Sequence, residues 1–141
     1  MNEFIVWDDE DNKFIYWEDV VFAKDKDDDF IIIMKEIDPI VSEGRNFKSF
    51  NCIGKTDINN KKIYADCSIV EFSVCSLEPF SKKKQIKRIG KVRYCNSTCA
   101  YEIVVINMSR TEYYDFSGMA FEISDIKIID TIQENKLGLI K

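Results

Sequence analysis

Histidine is missing altogether from this chain of 141 residues. That excludes Ser-His-Asp and Cys-His catalysis, His-ligated zinc or haem, and any imidazole pH switch. Glycine (5) and proline (2) are scarce, which excludes a collagen-like, linker-rich or low-complexity chain. Long hydrophobic runs are missing too. The longest, Phe30 to Met34, falls far short of the ~20 residues that a membrane-spanning helix needs. The chain opens Met1-Asn2-Glu3 with no basic segment ahead of an apolar one. No signal peptide is therefore expected, and the expected compartment is the cytoplasm. The five cysteines (Cys52, Cys67, Cys75, Cys95, Cys99) are odd in number and irregularly spaced, as for reduced cytosolic thiols.

What is present is apolar and β-branched. Hydrophobic residues make up 45% and aromatics 13%, enough for a core. The dominant rhythm is that of strands. They are expected at Phe4–Trp7, Phe14–Trp17, Val20–Phe22, Phe30–Ile37 and Phe47–Ile53, the last punctuated by Gly54. Asp57-Ile58-Asn59-Asn60 reads as a turn. Further strands are expected at Ile69–Val74, at Lys87–Tyr94 and Tyr101–Asn107 as a hairpin around Cys95–Cys99, and at Ile126–Ile132. Ser109 followed by Glu112 has the form of a capping box, which predicts a helical turn over Ser109–Tyr114. A second short helix is expected between Asp115 and Ser124. The fold class is mainly β, a β-rich α+β domain of short antiparallel strands with one or two short helices. One domain is expected over residues 1–141, with Gly54 marking where two lobes would meet.

Charge is polarised. Trp7 to Asp29 carries ten acids and three bases, whereas Lys82 to Arg93 carries seven bases and no acid. Such opposed segments attract each other within or between chains.

Three segments carry a family resemblance. The first is Phe4-Ile5-Val6-Trp7-Asp8 followed by Asn12-Lys13-Phe14-Ile15-Tyr16. The second is Gly54-Lys55-Thr56-Asp57-Ile58-Asn59-Asn60-Lys61-Lys62-Ile63-Tyr64, and the third is Ile129-Asp130-Thr131-Ile132-Gln133-Glu134-Asn135. In order and spacing they resemble the YopX family of bacteriophage and prophage proteins. The family's turn glycine is replaced here by Asn60, its Gly-Asp pair by Asp66-Cys67, and its C-terminal proline by Lys136. The resemblance implies a small β-rich phage protein of an infected bacterial host that assembles as a homo-oligomer. It supplies no catalytic residues. On this reading Trp7, Ile63, Tyr64 and Ile132 are core or interface positions.

Each candidate site has two readings. Trp7, Phe14, Tyr16 and Trp17 form an aromatic cage or, more simply, inter-strand contacts. Asp57, Asn59 and Asn60 suggest half of a calcium loop, but its sixth and twelfth positions would be Lys62 and Ser68, so a turn is preferred. Cys95 and Cys99 would need two further thiolates to hold zinc, so no metal and no cofactor is expected. The acidic turns Asp8–Asp11 and Asp25–Asp29 either mimic phosphates or are solvated. The basic segment is the favoured partner-binding surface: Lys82, Lys83, Lys84, Lys87, Arg88, Lys91 and Arg93, with Tyr94 and Tyr101 beside it. Its bland reading is a loop leading into a lysine-protected edge strand. The expectation is therefore a non-enzymatic phage accessory protein that inhibits a component of bacterial anti-phage defence. Its partner would be a host defence protein, or that protein's nucleotide or nucleic-acid ligand, and not a membrane. The alternative is a nucleic-acid-binding regulator using residues 82–93. An enzyme ranks last.

Overall fold

A computed structural model describes residues 3–24, 30–34, 47–76, 85–117 and 121–141. Among these residues the structure is mainly β, as the sequence pattern predicts, and every strand pairing is antiparallel. The chain divides into two compact units, Met1–Asn51 and Cys52–Lys141.

In the first unit β1 (Phe4–Asp8) pairs with β2 (Lys13–Ile15) on one side and with the start of β5 (Phe47–Thr56) on the other. The β1–β2 turn forms because the buried Asp8 carboxylate accepts the N–H of Glu10 at 3.1 Å. Asn12 then takes the left-handed conformation, φ 49°, which Asn tolerates. Val6 and Ile15 make a small core with Phe4, Val20 and Phe47 packed against it. A 3₁₀ turn, Trp17–Asp19, leads into β3 (Val20–Lys24), which pairs with β4 (Phe30–Met34). The acidic turn Asp25–Asp29 and the expected end of the Phe30–Ile37 strand lie outside the described residues.

The second unit holds a five-stranded sheet in the order β10-β9-β8-β7-β11. Its strands are β7 (Ser68–Ser76), β8 (Gln85–Cys95), β9 (Ala100–Val105), β10 (Tyr113–Asp115) and β11 (Phe121–Thr131). Alternation places Val70, Phe72 and Val74 of β7, Val92 of β8, and Ile103 and Val105 of β9 on one face. Ile63, from β6 (Lys62–Tyr64), completes that core. Gly90 lies on the same face, where an added Cβ would stand 2.5 Å from Ile103 Cγ2 and 2.7 Å from the Val104 carbonyl oxygen.

Several local expectations need correction. Ser109–Tyr114 is not a helical turn, because Tyr113 and Tyr114 pair with Val104 and Ile103 in β10. The helix expected from Asp115 is not seen among the described residues, since Phe121–Ser124 is already strand β11. Gly54 does not end β5. It sits inside the strand with φ +80°, at an irregularity between Cys52 and Thr56, as glycine does at a bulge. The basic segment does not enter an edge strand either, because β8 lies between β7 and β9.

Trp7 and Ile63 are buried as expected, and Tyr64 and Ile132 are half-buried. Ile63 is fully enclosed, at 0% exposure. Ile63→Ala should cost about 2–5 kcal/mol through lost burial and the cavity left behind. Urea denaturation measures this, and an unchanged midpoint would contradict the placement.

Candidate binding face

Strand alternation splits the basic segment. Register places Lys87, Lys91 and Arg93 on the sheet face opposite the core, while Arg88 and Tyr94 share the core side with Val92. Lys82, Lys83 and Lys84 lie outside the described residues. The four described bases of the segment are therefore split between the two faces of the sheet.

The two arginines are already engaged. Arg93 Nε donates to Glu102 Oε1 at 2.6 Å, across the β8–β9 register pair. Glu102 is buried, so this ion pair is enclosed on its acidic side. Arg88 Nε donates to Glu112 Oε1 at 3.0 Å, and the Tyr114 hydroxyl donates to the same oxygen. The Tyr114 bond is the main reason that the Glu112 carboxyl lies below its ordinary range, with Arg88 adding to it against burial. Burial, and then Glu112, push the Tyr114 phenol up to about 12.

The lysines differ. Lys87 is exposed and Lys91 half-buried, opposite Ser73 and Ile69 respectively. Exposed Lys127 of β11 stands opposite Glu71 of β7. Cross-strand geometry thus sets three lysines around Glu71, with Lys87 and Lys91 roughly 7–8 Å from it along the diagonals. Ammonium groups so spaced suit an extended anionic surface better than one point charge. Tyr94 and Tyr101 meet edge to face, with centroids 5.3 Å apart, at the far end of β8 and β9.

The other candidates resolve into packing. Trp7 and Phe14 meet edge to face at 4.8 Å across β1 and β2, and Trp17 meets Phe4 in the same way at 4.8 Å, whereas Tyr16 is exposed. In the Asp8–Asp11 turn, Asp9 accepts the Trp7 indole N–H at 2.7 Å and lies 3.5 Å from Lys48. Asp11 lies 3.7 Å from Lys13. Most of this acidic turn is thus committed within its own unit.

Asp57 is a heavily engaged carboxylate of the second unit. Its Oδ1 accepts the N–H groups of Asn59 and Lys61, each at 2.9 Å, closing the turn between β5 and β6. Its Oδ2 accepts the N–H of Ile128, at 3.0 Å, on β11. The Ile58 N–H donates to the Ile126 carbonyl at 2.8 Å. A β-bulge with Asp125 at φ 54° gives β11 the irregularity it has beside Ile126. The turn therefore covers part of the outer edge of β11. Burial alone would raise the Asp57 pKa, but the three backbone N–H donors outweigh it and hold the carboxyl below its ordinary value of 3.8.

One feature escaped the sequence reading. An open groove of about 680 Å³ is lined by Lys55, Thr56, Asp115, Phe116, Glu122 and Ile126, among others. Lys55 Nζ lies 5.8 Å from the centroid of the Phe116 ring. No local motif marks it, because its walls come from segments some sixty positions apart. Among the described residues, no three carboxylate or thiol groups converge as metal ligands, and no helix is long and apolar enough to cross a membrane.

Among known families, the model described as YopX protein matches residues 3–138 of the chain. No curated protein matches the chain.

The depressed Asp57 pKa sets a pH dependence. The folded state binds fewer protons here than the unfolded state, so the stabilisation is complete above 3.8 and fades as pH falls through the folded pKa. Asp57→Asn, which cannot ionise, should be less stable than wild type near neutrality. The gap should narrow between about pH 5 and about pH 2. Urea midpoints across that range test this, and a gap independent of pH would contradict it.

Proposed function

Because the chain belongs to the YopX protein family, we propose that it is a phage-encoded, non-enzymatic accessory protein. It acts by binding a component of bacterial anti-phage defence and blocking it. The observation that carries this reading is the lysine set Lys87, Lys91 and Lys127 on one face of a continuous sheet. Arginines bound internally to Glu102 and Glu112 hold the strand in place, while Lys87 and Lys127 are exposed on the face around Glu71. A rigid sheet loses little conformational entropy on association, which favours such a face as a docking surface. Each exposed ion pair adds only about 0–1 kcal/mol, so several must act together. The acidic turn is the weaker rival, since Asp8, Asp9 and Asp11 serve their own turn and its neighbours.

A second reading rests on the same lysines. Spaced cations on a sheet also suit a phosphate backbone, which makes a nucleic-acid-binding regulator the alternative. Opposed charge segments further support self-association as a homo-oligomer. Light scattering that finds only a 16.5 kDa species would remove that part of the proposal.

The test is a triple reversal, Lys87→Glu, Lys91→Glu and Lys127→Glu, which spares both paired arginines. Expressed in bacteria carrying an anti-phage defence, the wild-type chain should restore plaque formation by a phage which that defence blocks. The triple variant, folded by circular dichroism, should lose at least about tenfold of that effect, as removal of ~1.4 kcal/mol of binding would give. No restoration by the wild-type chain across a panel of defences would contradict the inhibitor reading. Salt-dependent gel shifts with DNA or RNA, lost in the triple variant, would favour the alternative instead.

A further inference from the structure

The tip of the β8–β9 hairpin gathers chemistry that the binding reading does not use. Cys95 is the last residue of β8, and Cys99 precedes Ala100, the first residue of β9. Cys95 stands in register with Ala100. Opposite residues of an antiparallel pair lie ~4.5–5.5 Å apart at Cα, so Cys99, next to Ala100, comes close to Cys95 across this short turn. The turn fixes both sulfurs. Cys95 Sγ lies 3.1 Å from Ser97 Oγ, and Cys99, at φ 52°, donates its S–H to the Asn96 carbonyl at 3.5 Å. Cys99 is exposed and Cys95 half-buried, and all five cysteines are free thiols.

We propose that this turn is a thiol–disulfide exchange site, with Cys95 the attacking thiol, Cys99 the resolving thiol and a low-molecular-weight disulfide the oxidant. The Cys95 thiolate attacks one sulfur of the small disulfide. The S–S bond breaks, and the departing thiolate takes a proton from water. Cys99, as thiolate, then attacks Cys95 Sγ and expels the second small thiol, leaving a Cys95–Cys99 disulfide. The protein dithiol loses two electrons, and the small disulfide gains them to become two thiols.

The surroundings favour this order of attack. Hydrogen bonds from the Ser97 side chain first, and then from Thr98, bring the Cys95 thiol down from 9.0 to about 7. A large thiolate fraction is therefore present at neutral pH. The Cys99 charge is also the first cause of a raised pKa at the Tyr94 phenol. Cys67 makes an internal comparison, because burial pushes its thiol up to about 12.

The test treats the reduced, full-length chain with glutathione disulfide at neutral pH and reads intact mass and peptide maps. Wild type should lose two hydrogens and yield a peptide joining Cys95 to Cys99. Cys99→Ser should stop at one glutathione on Cys95, and Cys95→Ser should form no bridge in this turn. An unmodified wild-type chain would overturn the proposal. So would oxidation confined to Cys52 or Cys75, a disulfide between two chains, or a wild-type adduct at Cys95 that never resolves.

Discussion

A buried carboxylate that collects backbone N–H groups is the interaction on which the second unit depends. Asp57 ties three amides with two oxygens. Two of these bonds close the turn before β6, and the third reaches 71 positions along the chain to β11. A sheet edge exposes unpaired donors and acceptors. Here the turn occupies part of the β11 edge with the Ile128 bond and the Ile58-to-Ile126 bond. Without the carboxylate, the Ile128 amide would need another acceptor. Asp130 repeats the device at the C-terminal end, where it accepts the N–H groups of Thr131 and Leu137 at 2.8 and 2.9 Å. Within the first unit Asp8 does the same for its own turn. Each of the three family-like segments is thus organised around one buried aspartate.

The strands were legible because β-branched and aromatic residues alternate over them, and the Asp57 turn because Asp and Asn favour such turns. The helical expectations failed for a specific reason. A capping box is a local signal, and in this chain Glu112 faces Arg88 and Tyr114 rather than the start of a helix. Cross-strand pairing of Tyr113 and Tyr114 overrode the local preference. Gly54 misled in a similar way, since a glycine in a strand pattern marks a bulge as readily as an end.

The candidate site was only half legible. A run of seven bases is visible in sequence, but a strand sends successive side chains to opposite faces. The acids that bind Arg88 and Arg93 come from positions 112 and 102, and no pattern within the run reveals them. Lys127 joined the face from β11 through register alone. The groove beside Lys55 and Phe116 was invisible for the same reason, because it exists only once distant segments meet. The Cys95–Cys99 spacing was visible, but the contact between Cys95 and Ser97 belongs to the folded turn.

Amide hydrogen exchange tests the central role of Asp57 most directly. In Asp57→Ala the account predicts that protection at the amides of Asn59, Lys61 and Ile128 falls well beyond the loss at Val92, in the core of the same unit. Equal losses at all four amides, or unchanged protection at Ile128, would show that the carboxylate does not fasten this turn to the edge of the sheet.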